Sequence, residues 1–116
     1  MDISIERLLE DTVVRHDSAD HYLMVMNGPE DGRVLSLEKD STTIGRVGDS
    51  DIVLALDASI SRKHARVLRE GDAYFIEDLN SKFGTFVDDV TINRRHLLRD
   101  GCLIRLGETL LRFSEK

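Results

Sequence analysis

Three short segments concentrate the side chains that could do chemistry. They are Gly45-Arg46-Val47-Gly48-Asp49-Ser50, Ser59-Ile60-Ser61-Arg62-Lys63-His64 and Asn80-Ser81-Lys82-Phe83-Gly84-Thr85. Each carries a hydroxyl or amide donor, a cation, or both, and none offers an acid/base pair. Ser61 and His64 tempt a hydrolase reading. However, the chain has no G-x-S-x-G nucleophile elbow and no G-x-x-x-x-G-K-[ST] phosphate loop, and three residues of separation specify no Ser–His hydrogen bond. His16, His21, His64 and His96 are scattered without metal-ligand spacing, so no metal and no cofactor is expected. These loops are suited to binding, not to catalysis.

Loops of this kind need a rigid frame, and the rest of the chain reads as one. It is 116 residues long, 41% apolar and 33% charged, which suits a single globular domain with its own core. From His21 onward, short runs rich in Val, Ile, Leu and Thr alternate with turn residues. Strands are predicted at residues 22–26, 33–37, 42–44, 51–54, 64–69, 73–77, 85–87, 90–92, 102–106 and 109–113. The pattern is that of an all-β, antiparallel β-sandwich of about ten to eleven short strands, with function placed where loops gather at one end. Cys102 alternates with apolar positions and reads as an inert buried thiol. As a lone cysteine it points to a reducing compartment. No apolar run approaches the roughly 20 residues needed to span a bilayer, and the first residues lack a signal-peptide pattern. A soluble, cytoplasmic protein is expected.

The formal net charge of −6 argues against a nucleic-acid binder, whose affinity would come from a basic face. The charge is uneven. Residues 1–20 hold six acids and two bases, a net of −4, which leaves residues 21–116 at −2. In that body arginine outnumbers lysine by ten to four, and arginine suits bidentate capture of carboxylate or phosphate. Residues 1–20 read as an acidic arm, either mobile or a short helix near residues 2–9, ahead of the domain at 21–116.

Four blocks carry a family resemblance: Ile44-Gly45-Arg46, Ser61-Arg62-Lys63-His64-Ala65, residues 78–87 from Asp78-Leu79-Asn80 through Gly84-Thr85, and residues 98–107 with their Asp100-Gly101 and Leu106-Gly107. In order and spacing they resemble the forkhead-associated (FHA) domain, over roughly residues 22–113. The resemblance implies a non-catalytic β-sandwich that binds phosphothreonine peptides through loops at one end, in Ser/Thr kinase signalling. It implies Arg46 and Ser61 as the phosphate ligands and Arg62 as a contact to phosphate or peptide backbone; Lys82 can add a point charge from the third loop. It implies structural roles for Gly45 and Gly84 and a loop-bracing role for His64. Two or three aimed donors suffice for one phosphate, so a nearly neutral body can host the site.

One position departs from the family. Its usual N-G-T reads Phe83-Gly84-Thr85 here, and Phe83 cannot make the peptide-backbone bonds of that Asn. Phe83 either offers an apolar contact to the peptide or marks a phosphate-independent docking patch. In the arm, Glu10-Asp11-Thr12 is faintly similar to the phosphorylation motif of small bacterial FHA regulators. Two readings of the arm stand side by side, an ordinary solvated acidic tail and phosphorylated Thr12 folding back onto the loops; a partner carrying phosphothreonine is expected. No membrane partner is expected.

Overall fold

The computed structural model describes residues 21–115. The acidic arm with Thr12, the short helix expected as one alternative near residues 2–9, and Lys116 lie outside the described residues.

Period-two alternation dictates the elements, because successive strand side chains face opposite ways. Eleven strands form: β1 His21–Val25, β2 Val34–Ser36, β3 Ser41–Gly45, β4 Ile52–Val53, β5 Ala65–Glu70, β6 Ala73–Asp78, β7 Thr85–Val87, β8 Val90–Thr91, β9 His96–Leu98, β10 Leu103–Leu106 and β11 Thr109–Glu115. They make a five-stranded sheet, β9-β6-β5-β3-β4, and a six-stranded sheet, β2-β1-β11-β10-β7-β8. The inward positions meet in one core that includes Leu23, Ile44, Val67, Tyr74, Ile76, Ile104, Leu106, Leu111 and Phe113. Cys102 is buried in the same core, and burial pushes its thiol pKa up. Among the described residues no helix is long and apolar enough to cross a membrane.

Two details go beyond the sequence pattern. β9 is an eleventh strand, pairing Leu97 with Phe75 on β6. β3 and β4 pair in parallel, Ile44 with Ile52 and Gly45 with Val53, in an otherwise antiparallel molecule. A parallel pair ordinarily needs a long crossover. Here the 46–51 loop suffices because Asp51 clips it shut. Its Oδ2 accepts from the backbone N–H of Thr43 at 2.9 Å, and its own N–H donates to Thr43 Oγ1 at 2.9 Å. Lys39 holds Oδ1 at 2.6 Å, and these donors lower the Asp51 pKa to about 2.

Strand direction sets which loops share an end. Gly45 closes β3, Ala65 opens β5, Asp78 closes β6 and Thr85 opens β7. Ala65 lies opposite both Ile44 and Asp78. The 46–51, 54–64 and 79–84 loops therefore leave the sandwich together.

Candidate functional site

Backbone contacts between the β3 and β5 ends come first. Gly45 is followed by Arg46, whose N–H is shared between the carbonyls of Ser61 at 3.2 Å and Arg62 at 3.1 Å. That approach is close. A Cβ on Gly45 would lie 1.9 Å from the Arg62 carbonyl oxygen and 2.6 Å from Ser50 Oγ, so no other residue fits without backbone movement. Ser50 Oγ donates to the same carbonyl at 3.4 Å.

The Arg46 side chain is half-buried and anchored. Its Nε donates to the Ile60 carbonyl at 2.8 Å. Its two terminal Nη groups keep their N–H donors, with no carboxylate bound to them among the described residues. Arg62 is different: its carbonyl secures the loop while its side chain is exposed. Lys63 pairs with Asp49 at 3.4 Å across the loops.

Ser61 links the second loop to the third. Its Oγ accepts the backbone N–H of Lys82 at 2.9 Å, which leaves its own hydroxyl proton to donate elsewhere. His64 is fully buried below it. Its Nδ1 accepts from the Ser61 N–H at 3.0 Å, and the opposite nitrogen lies 2.9 Å from the Gly84 carbonyl. Because Nδ1 must accept, the ring's proton sits on Nε2 and donates to Gly84. The His64 carbonyl also accepts from Leu79 N–H at 2.9 Å. One imidazole thus spans two loops.

The third loop is wound on Asp78. Its carboxylate accepts from Ser81 N–H at 3.0 Å, Ser81 Oγ at 2.6 Å and Thr85 Oγ1 at 2.7 Å, and Ser81 Oγ in turn accepts Gly84 N–H at 2.8 Å. Burial works to raise the Asp78 pKa, but the Ser81 and Thr85 donors outweigh it and hold the carboxyl below its ordinary value. Asn80 and Gly84 both take positive φ, 59° and 88°, to close the turn. At its tip Phe83 is 57% exposed, with Lys82 Nζ 5.4 Å from the ring centroid.

The fastening roles of Asp78, Thr85 and Ser50 escape the sequence reading, and Asp57 escapes it altogether; Asp57 accepts from Ser59 N–H, Glu108 N–H and Thr109 Oγ1 and pins the second loop to the β10–β11 turn. An acid followed three residues on by a serine is the local turn pattern that could have flagged Asp78. Among the described residues no cluster of three His, Cys, Asp or Glu side chains could hold a metal ion.

A two-sheet sandwich with three loops knitted at one end defines a class of binding scaffold, and comparisons with known proteins agree on which one. The model of the FHA domain matches residues 42–107. FhaB of Mycobacterium tuberculosis is 33% identical over 93 residues, which are 80% of this chain and 59% of that protein. The oxoglutarate dehydrogenase inhibitor of Corynebacterium jeikeium is 38% identical over 91 residues, 78% of this chain and 62% of that protein. A structure solved in an analysis of phosphothreonine-dependent FHA domain interactions superposes with a TM-score of 0.75 at 31% identity, covering 83% of this chain and 96% of its own. The chain belongs to the FHA domain family. FHA domains are interaction modules. The chain spans about three-fifths of the length of the relatives named here.

Proposed function

We propose that this protein binds phosphothreonine-containing segments of partner proteins, downstream of a Ser/Thr kinase, and that it is not an enzyme. The observation that carries the reading is the state of Arg46. Its Nε is committed to the Ile60 carbonyl while both Nη groups retain their donors beside the Ser61 loop. A guanidinium fixed at one nitrogen offers the other two as a planar fork for phosphate oxygens, with little entropy left to lose. In this reading Ser61 Oγ–H donates to a third oxygen, while Arg62 and Lys82 add charge from exposed positions. Gly45, His64 and Gly84 hold the loops that aim these groups.

Phe83 takes the place of a peptide-binding Asn in this reading and gives an apolar contact to a side chain beside the phosphothreonine. Its exposure also favours a second reading, in which the patch docks a protein partner without phosphate. One experiment separates the two. An oriented phosphothreonine peptide library is bound to the wild type and to Arg46→Ala. Capture that requires both the phosphate and Arg46 supports the first reading. Partner binding that survives phosphatase treatment and Arg46→Ala overturns it in favour of the second.

The acidic arm enters as an intramolecular ligand. Phosphorylated Thr12 is a phosphothreonine tethered to the same domain, and its occupation of the loops closes them to outside partners.

A further inference from the structure

The outer face of the six-stranded sheet is the most unusual surface away from the loops. Cross-strand register places Val34, Met24, Arg112 and Leu103 in one row over β2, β1, β11 and β10. A second row runs Leu110, Arg105, Phe86 and Thr91 over β11, β10, β7 and β8. Solvated sheet faces are normally polar at such positions. Here most are apolar: Val34 is 53% exposed, and Met24, Leu103, Leu110 and Phe86 are half-buried. The two charges among them are both arginine. Arg105 sits over Phe86, its Cζ 4.0 Å from the ring centroid. Neither Arg105 nor Arg112 has an acidic partner among the described residues. The outward strand positions of this sheet carry no acid at all.

We propose that residues 1–20 of the same chain, while Thr12 is unphosphorylated, dock on this face. Two features favour that occupant. The first is complementarity: the segment combines six acids with Ile3, Ile5, Leu8, Leu9, Val13 and Val14, the mixture that an apolar face bearing two arginines would accept. The second is attachment. The segment joins the sheet at His21, one residue before Tyr22, which is an outward position on β1 between β2 and β11. Twenty residues extend to about 66 Å, whereas six strands at about 4.8 Å spacing span only about 24 Å. The segment can therefore cross the whole face. A second copy of the chain fits less well, because a two-fold pairing of this face would set arginine against arginine with no acid between them.

The face is formed by strand interiors and not by the loops, so the proposal stands apart from the phosphate-binding reading. The test uses the full chain with a nitroxide on Ser4→Cys. Buried Cys102, its thiol pKa raised, is left unmodified by the label. Methyl resonances of Met24, Leu103 and Leu110 are expected to broaden several-fold more than those of Leu68 and Leu97 on the opposite sheet. Arg105→Glu with Arg112→Glu should remove the difference. Glu6→Lys with Glu10→Lys should remove it too, without touching the folded body. Equal broadening on both sheets, or broadening centred on Val47 in the loops, would overturn the proposal. So would broadening that arises only when a spin-labelled chain is mixed with a separate isotope-labelled one, since that outcome means a second copy is the occupant.

Discussion

Arg46 and Lys82 carry the same charge in unlike settings, and this difference should decide what each contributes to binding. Arg46 is half-buried with Nε fixed at 2.8 Å on the Ile60 carbonyl, whereas Lys82 is exposed with its ammonium 5.4 Å from the Phe83 ring centroid. A hydrogen bond to a charged group is worth about 1.5–3 kcal/mol, and an exposed ion pair about 0–1 kcal/mol. Arg46→Ala is therefore expected to weaken phosphopeptide binding by about tenfold to more than a hundredfold, and Lys82→Ala by only a few-fold, read by calorimetric titration. Arg46→Lys should behave nearly like the alanine variant, because an ammonium cannot keep the Ile60 anchor and also present a fork. Gly45 makes a stability test at the same scale. With 1.9 Å between its would-be Cβ and the Arg62 oxygen, Gly45→Ala should cost about 1–3 kcal/mol. In a domain of this size that lowers the melting temperature by roughly 5–20 °C, measurable by calorimetry. A melting temperature equal to wild type would show that the loop has room that the structure denies it.

Three carboxylates fasten elements to loops, so the frame should be sensitive to acid. Asp51 clips β3 to the loop before β4, Asp57 ties the second loop to the β10–β11 turn, and Asp78 winds the third loop. The Lys39 and Thr43 donors lower the Asp51 pKa to about 2. Asp57 and Asp78 are raised by burial but lowered further by their hydrogen bonds, so both end below the ordinary value. A carboxyl whose folded pKa lies below its unfolded pKa stabilises the fold above the unfolded value, and that stability is lost as pH falls through the folded one. Urea midpoints should stay level from pH 7 to about 5 and then fall steeply between about pH 4 and 2. Asp51→Asn should start lower at pH 7 and fall less below pH 4. An unchanged acid limb in that variant would remove Asp51 from the account. The same residues mark what the sequence could and could not tell. Ten strands were legible as short apolar and β-branched runs between turn residues, most with period-two alternation, though β8 is exposed at both of its residues. β9 was not, because it holds only His96, Leu97 and Leu98, follows Asn93-Arg94-Arg95, and owes its existence to pairing with β6. The candidate loops were legible because Gly45-Arg46, Ser61 through His64 and residues 78–87 stand in a recognisable order. The fastening by Asp57 was not, since its partners Glu108 and Thr109 lie 51 and 52 residues away.

At the scale of the whole chain, charge is divided between an arm of net −4 and a body of net −2, and the division bears on regulation. The body is neutral enough to hold a local cationic pocket, and the arm carries Thr12 within reach of it. Thr12 precedes His21 by nine residue steps, about 30 Å when extended. β1 runs from His21 toward the loop end over five residues, only about 17 Å. Once phosphorylated, Thr12 would compete with any outside ligand at an effective concentration on the order of 1 mM. If the arm's phosphothreonine binds the loops with an intrinsic Kd of about 10 μM, the apparent affinity of any outside peptide should drop about a hundredfold. Arg46→Ala in the phosphorylated chain should release the arm, but it would also disable the loops, so it cannot serve as the control. The informative comparison is Thr12→Ala exposed to the same kinase. It should retain full affinity for the external phosphopeptide at every phosphorylation time, whereas the wild type loses affinity in step with phosphate incorporation at Thr12. External affinity that is unchanged after stoichiometric phosphorylation of Thr12 would sink the idea. Loss of affinity that depends on protein concentration would instead assign the arm to the loops of a second molecule.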